Sequence, residues 1–372
     1  LVVDTMIAAS LVDENRFQYS LNAISWDYLG HGKNEQALTQ EAKSRGLDPK
    51  ADMWQLPAMH VGAYAEKDAE LTLELWQAFK KEIIHQDIES IFNLETDLFP
   101  CLVDMKFKGV RVDIERAHKL KEQLCTQEEQ LMHQVKAETG IDVQIWAARS
   151  IAKAFDKLSL DYSTTEKTGA PSFTKNFLSN HQHPMVKNIA KAREINKAHT
   201  TFIDTILKHQ HKGRIHADIN PIRSDQGGTV TGRFGYSNPN LQQIPARNKE
   251  LGPMIRSLFI QEKDHKWGCF DYSQQEPRLV VHYAATTEPI CFDNSVGNIV
   301  NKFKDNSVDF HQTVADMANI SRTQAKTINL GLFYGMGKAK LQAELGLNTK
   351  QEAEDLFNQY HQNVPFVRDL MG

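Results

Sequence analysis

The sequence predicts a helix-rich α+β protein of more than one domain, on three observations. Apolar residues recur at helical spacing along two long stretches, one ending near Glu82 and one running from Ala117 to Val135. Residues 214 to 247 break that pattern and turn β-like, punctuated by Gly227-Gly228, Gly232, Gly235, Pro239 and Pro245. After a short apolar run, Trp267 to Phe270, helical patterns return and fill most of the remainder. A length of 372 residues accommodates two or three domains and an ample core.

In chain order, residues 5 to 90 read mostly as helices, with Asp4 placed to cap the first. Val61 to Glu82 is the clearest, with Tyr64, Asp68, Leu71, Leu75 and Phe79 on one face. Ala117, Leu120, Leu124, Leu131 and Val135 then mark an amphipathic helix long enough to project from a body. A coiled-coil partner helix is the alternative, but the seam lapses at Glu128. Gly169-Ala170-Pro171 marks a loop. Pro184 opens a second long helix, up to about Lys208, carrying Lys187, Lys191, Arg193 and Lys197. The run Trp267 to Phe270 reads as a short strand feeding Asp271.

Hydrophobic content of 41% and charged content of 24% describe an ordinary globular chain. The net charge of −4 gives no global basic signature, so any nucleic-acid contact must come from local patches. Four cysteines, at 101, 125, 269 and 291, form no C-x-x-C pair, which suits a reducing cytosol and opposes a zinc site or disulfide framework. No apolar run reaches the roughly 18 residues of a membrane span. Asp4, Asp13 and Glu14 argue against a signal peptide. Leu1 lies within an apolar stretch and Gly372 follows a helical pattern, so both ends read as cut.

The chemistry concentrates in two runs: Asp271-Tyr-Ser-Gln-Gln-Glu-Pro-Arg278, and Arg322 to Gly335. A carboxylate just past a buried strand is rigid yet reaches solvent, which suits a Mg²⁺ ligand; the plain alternative is that Asp271 starts a turn. Ser273 and Glu276 fit a capping box for the next helix. Pro277, at the fourth helical position, would remove an early backbone bond. In the second run Arg322, Lys326, Leu330 and Tyr334 recur every four residues. Such steps advance about 40° and form a slowly winding stripe, leaving Ile328 and Leu332 to pack inward. Two fixed cations, an apolar side chain and an aromatic ring facing a carboxylate are what a nucleoside triphosphate needs. Gly331 to Lys338 is not a phosphate-binding P-loop, because the glycine–lysine spacing fails.

These two runs resemble the first two polymerase motifs of family A DNA polymerases, the polymerase I-like group with many phage members. The likeness extends to Thr229-Val-Thr-Gly232-Arg233 with Asn238-Pro-Asn240-Leu-Gln242-Gln-Ile-Pro245-Ala-Arg247, and to Asp309-Phe-His311-Gln. The resemblance implies the remnant of a 3′–5′ exonuclease domain (1–88), then a right-hand polymerase: thumb (89–210), partial palm (211–288) and fingers (289–372). It implies that Asp271 and the Tyr272 carbonyl hold part of a pair of Mg²⁺ ions. Arg322, Lys326 and His311 would meet the triphosphate, with Lys326 as the acid for leaving pyrophosphate. Glu276 would sit under the sugar and exclude a 2′-hydroxyl, with Gln274 and Leu330 also in the nucleotide site. Leu330 departs from the family's usual Phe or Tyr, and Pro277 from its usual aliphatic residue.

Arg233, Asn240, Gln242 and Arg247 would grip primer–template DNA, with Tyr334 and Gly335 near the templating base. Tyr64 and Asp68 match the last exonuclease motif, Asp68 as a metal ligand; the partner carboxylates would lie upstream of Leu1. The expected activity is template-directed addition of deoxynucleotides from dNTPs in replication, in the cytoplasm of a bacterial or phage-infected cell, with no membrane partner and no assigned processivity factor. One carboxylate cannot organise two metals, and no His-Asp-Glu run follows Tyr334, so this polypeptide is expected not to extend primers. The alternative is a catalytically dead nucleic-acid-binding protein of the same fold.

Overall fold

A computed structural model describes residues 2–223, 228–246, 248–288, 290, 294–304, 309–318 and 320–371. The chain is a helix-rich α+β protein dividing into two compact units, residues 1–266 and 267–372.

The first unit begins with α1 (Thr5–Val12), capped as expected by Asp4, whose carboxylate accepts from the Met6 amide at 2.8 Å. Next come α2 (Leu21–Leu29), closed by left-handed Gly30, and α3 (Gln36–Ser44). α4 (Ala58–His85) contains the long helix predicted from periodicity, and its Leu71, Leu75 and Phe79 are fully buried. Leu75, Phe79 and Ile83 pack with Ala8, Ala9, Ile24 and Phe92. α5 (Glu89–Lys108) stops at Gly109, φ +63°, where a Cβ would lie 2.7 Å from the Ile215 carbonyl oxygen. Only glycine fits both that backbone angle and that approach. The chain then forms β1 (Val110–Arg111).

α6 (Ile114–Thr139) is the long amphipathic helix, capped by Asp113 and closed by Gly140. α7 (Ala148–Lys157), the hairpin of β2 (Ser163–Thr164) and β3 (Pro171–Ser172), and α8 (Lys175–Asn180) lead to α9 (Pro184–Lys197). α6 finds its apolar partner in α9 of the same chain. Val135, Ile151, Phe155, Phe173, Leu178, Met185 and Ile189 form the core around its C-terminal end. The helix predicted to reach Lys208 does so with a wide π-helical turn in the middle, Ala198–Ile203, before α10 (Asp204–His209). That turn carries buried His199, whose Nε2 lies 2.6 Å from Glu128 Oε2 on α6.

The β-like stretch resolves into short strands. β4 (Gln210–His211) and β5 (Arg214–Ile215) join β1 in a three-stranded sheet of order β1-β5-β4. β6 (Asp218–Asn220) pairs antiparallel with β7 (Gly235–Ser237), Ile219 opposite Tyr236. α11 (Leu251–Arg256) completes the unit's helices.

The second unit corrects three expectations. Trp267 to Phe270 is not a strand. A strand needs a neighbour for its backbone groups and a cover for its side chains, and among the described residues nothing pairs with this run. Trp267 and Phe270 are accordingly exposed. Secondly, Ser273 and Glu276 do not form a capping box. α12 (Gln275–Thr286) starts at left-handed Gln274, φ +55°, with no side-chain cap. Thirdly, because α12 begins there, Pro277 falls in its first turn. The missing N–H is one that a helix start leaves unbonded anyway, and the first helical bond, Arg278 N–H to Gln274 O at 3.0 Å, is intact. The remaining helices are α13 (Asn294–Lys304), α14 (Phe310–Ala318), α15 (Arg322–Phe333), α16 (Lys338–Leu345), α17 (Lys350–Asn363) and α18 (Pro365–Met371). They enclose one core that includes Val281, Phe303, Phe310, Ile328, Leu332, Leu341, Tyr360 and Phe366. No helix among the described residues is long and apolar enough to cross a membrane.

Candidate active site

The chemistry gathers around α15. The capping signature predicted for α12 appears here instead: Ser321 Oγ accepts from the Gln324 amide at 3.2 Å, and Gln324 Oε1 accepts from the Ser321 amide at 3.0 Å. Ala325, Ile328, Asn329 and Leu332 are buried, which turns the Arg322–Lys326–Leu330 stripe outward as its spacing predicts. Arg322 and Lys326 are exposed and Leu330 is half-buried. Tyr334 caps the C-terminus and is exposed, and Gly335 ends the helix at φ +72°.

Arg322 Nε donates to Asp309 Oδ2 at 2.6 Å. Burial pushes the Asp309 carboxyl up, but its bonds from Arg322 and from the Gln312 amide outweigh that and leave its pKa lowered. His311, two residues on, is buried. Burial lowers its pKa, the cations of Arg322 and Lys326 add to the effect, and Asp309 opposes it. The imidazole is therefore neutral near pH 7. Asn329 Nδ2 donates to its Nδ1 at 2.9 Å, which places the ring proton on Nε2. Sequence reasoning missed Asn329 and the role of Asp309. The available signal was an amide on the apolar face of a helix whose neighbours are Ala325, Ile328 and Leu332.

The Asp271 run is tied to this helix cluster at three points. Gln274 Oε1 accepts from the Phe310 amide at 2.7 Å, joining the starts of α12 and α14. Arg278 donates to the Ser273 carbonyl at 3.1 Å and stacks over Phe303 at 4.9 Å. Tyr334 donates its hydroxyl to Glu276 Oε1 at 2.6 Å. Glu276, freed from capping, thus reaches across to the C-terminus of α15. Asp271 and Tyr272 precede this network and are exposed. Their donors, one carboxylate and one carbonyl, are the hard oxygens Mg²⁺ prefers. Among the described residues no group of three or more acidic, His or Cys side chains converges as a metal site.

In the first unit, Thr229 Oγ1 donates to the Arg233 carbonyl at 2.7 Å, Asn240 caps a short helical turn at Leu241–Gln243, and Gln242 Nε2 donates to the Phe234 carbonyl at 2.8 Å. These bonds brace a loop on which Arg233, Asn240 and Gln242 are exposed. Arg247 lies outside the described residues. On α4, Tyr64 and Asp68 do share a face, and a side chain not foreseen joins them. Lys33 Nζ donates to Tyr64 Oη at 2.9 Å and to Asp68 Oδ2 at 2.8 Å. Burial lowers the Lys33 pKa, but the bonds to Asp68 and Tyr64 outweigh it and raise it. Asp68 Oδ1 is buried and, among the described residues, finds no hydrogen-bond partner.

The sequence profile of DNA polymerase family A matches residues 114–372. The chain belongs to that family. It is 37% identical to a DNA-directed DNA polymerase of Pseudomonas phage M6 over 93% of its own length and 54% of that protein's. It is 31% identical to DNA polymerase DpoZ of Acinetobacter phage SH-Ab 15497, over 96% of this chain and 61% of the relative. The chain thus spans little more than half the length of these two relatives. In fold it is similar to the polymerase domain of Pol1 from M. smegmatis, solved in complex with DNA primer-template and dNTP. The TM-score is 0.76 at 23% identity, covering 98% of this chain and 59% of that one.

Proposed function

We propose that the chain is the nucleotide-binding and DNA-gripping part of a template-directed DNA polymerase that adds deoxynucleotides from dNTPs to a primer 3′-hydroxyl, acting in replication in the cytoplasm of a bacterial or phage-infected cell. The observation that carries this is the convergence of Arg322, Lys326 and neutral His311 on the first half of α15. Arg322 and Lys326 set two fixed charges against a polyphosphate, and His311 offers an Nε2 proton to a phosphate oxygen without adding charge. Lys326 is the proton donor to leaving pyrophosphate. Asp271 and the Tyr272 carbonyl would hold Mg²⁺, whose chemistry in such sites is to draw charge from the reacting phosphate. Glu276, held by Tyr334, presents a carboxylate edge that excludes a 2′-hydroxyl. Arg233, Asn240, Gln242 and Arg247 grip the duplex, and Tyr334 and Gly335 meet the templating base.

One carboxylate serves one metal, so the 372-residue polypeptide binds dNTP and DNA without extending a primer. The domain reading is likewise retained: an exonuclease remnant (1–88), thumb (89–210), partial palm (211–288) and fingers (289–372). In the exonuclease remnant Asp68 takes a metal only where Lys33 yields Oδ2 or the metal uses Oδ1.

Equilibrium binding of a dNTP with Mg²⁺ to the full chain tests the reading. Loss of binding in Arg322→Ala and Lys326→Ala supports it. Wild-type affinity in both variants, or no dNTP binding by the parent, rejects it, and primer extension by the chain rejects the claim of inactivity.

A further inference from the structure

Between α8, α9 and the turn that leads into α7 lies a cleft of about 300 Å³, open to solvent. Its volume is at the lower end of small-ligand sites. Leu178 is buried at its base, and the wall carries Trp146, Arg193, Lys175, Lys197 and Glu194. Trp146 is 59% exposed, much like Trp26 and Trp267.

It is nevertheless fixed in place. The indole Nε1 donates to Asn196 Oδ1 at 2.8 Å. Asn196 Nδ2 is in turn held by both Glu128 carboxylate oxygens, at 3.0 and 3.2 Å, and Glu128 meets His199 at 2.6 Å. The Arg193 guanidinium lies over the indole at 5.2 Å and is pinned by the carbonyls of Ile145, at 2.6 Å, and Phe173, at 2.8 Å. A rigid, solvent-facing aromatic plate costs little ordering entropy when a flat partner stacks on it. Lys175 and Lys197 are both exposed, and among the described residues neither is paired with a carboxylate.

We propose that this cleft binds single-stranded nucleic acid: one unpaired base stacks on Trp146, and the flanking phosphates meet Lys175 and Lys197. Stacking on an aromatic plate beside a guanidinium, with lysines for the backbone, is how proteins hold single strands without reading sequence. Glu194 sits in the same wall, where its carboxylate can accept from a ring N–H of the stacked base. The inference concerns residues of the first unit alone and does not depend on the dNTP reading of α15.

Titration of the full chain with a short oligo-dT, read by tryptophan fluorescence, tests it. The chain has five tryptophans, so Trp146→Phe identifies the reporter. The expected result is quenching that Trp146→Phe removes, and an affinity that Trp146→Ala lowers by roughly tenfold or more. Lys175→Ala with Lys197→Ala, surface changes that leave the plate intact, should lower the slope of log affinity against log salt by about 0.7 for each phosphate that is no longer neutralised. Unchanged quenching in Trp146→Phe, an unchanged salt slope in the lysine pair, or equal displacement by polyglutamate would overturn the proposal. Because dNTP binding is read through Arg322 and Lys326, failure here leaves the earlier reading standing, and the reverse holds.

Discussion

Asn329 donates a hydrogen bond to His311 Nδ1 at 2.9 Å from the buried face of α15, and so decides which imidazole nitrogen presents a proton. The pair links the inside of that helix to the phosphate contacts proposed for its outer face. Replacing Asn329 by Leu keeps the volume and removes the donor. The expected outcome is weaker dNTP binding with Arg322 and Lys326 intact, and ¹⁵N chemical shifts reporting a mixed His311 tautomer. An unaltered tautomer in Asn329→Leu would refute the assignment.

Acid should destabilise the second unit through the same histidine. The His311 pKa is lowered in the folded protein from an ordinary 6.5, so between the two values the unfolded chain binds more protons. Stability is then complete above about pH 6.5 and falls as pH drops below it, levelling off once the folded-state value is passed. Buried His361, also lowered, acts in the same direction. Amide exchange over 310–333 at pH 7.5 and 5.5 measures this. His311→Gln should flatten part of the dependence, and a dependence identical to the parent's argues against His311 as its source.

Asp309 holds the Arg322 guanidinium and would compete for it with a phosphate in the proposed site. Asp309→Asn can still accept from the Gln312 amide at the start of α14 but carries no charge. Triphosphate binding should tighten by roughly two- to tenfold at low salt, with the gain shrinking at high salt. Weaker binding at low salt would mean that Asp309 serves mainly to aim the guanidinium.

The reciprocal cap at Ser321 holds the end of α15 from which Arg322 projects. Ser321→Ala should cost about 1 kcal/mol in urea unfolding and raise the dNTP dissociation constant together with local exchange at residues 322–325. A stability within a few tenths of the parent would show the cap to be idle.

Lys33→Met leaves both Asp68 oxygens without a donor, and Lys33 itself is largely buried, its side chain 12% exposed. A loss of roughly 1–3 kcal/mol is expected, restored in large part by Asp68→Asn in the same chain. Lack of that rescue in chemical denaturation would show that Lys33 stabilises through its alkyl stem.

Leu330 is half-buried on the stripe between Lys326 and Tyr334, and in the proposed dNTP site it would offer an aliphatic surface to the sugar. Leu330→Tyr should bring the dissociation constants of a dNTP and its 3′-deoxy analogue closer together. An unchanged ratio opposes any role for this position in reading the 3′ side.

Local pattern was enough for much of this. Period-four spacing set the outward stripe of α15, apolar recurrence set α4 and α6, and Asp4 capped α1, because each depends on residues within one or two helical turns. Where partners are far apart in sequence, the reading failed or was silent. Nothing near Trp267 tells whether a strand awaits it, and the same S-x-x-E/Q signature was inert at Ser273 and formed at Ser321, because the chain enters α12 through a left-handed Gln274. Tyr334 with Glu276, Asp309 with Arg322, and Lys33 with Asp68 are separated by 58, 13 and 35 residues. The sequence by itself determined the helices, their faces and the outward placing of the residue types proposed for phosphate contact. Only the tertiary structure decided which carboxylate neutralises which cation and which nitrogen of His311 is free, since those follow from packing between helices that no short-range periodicity encodes.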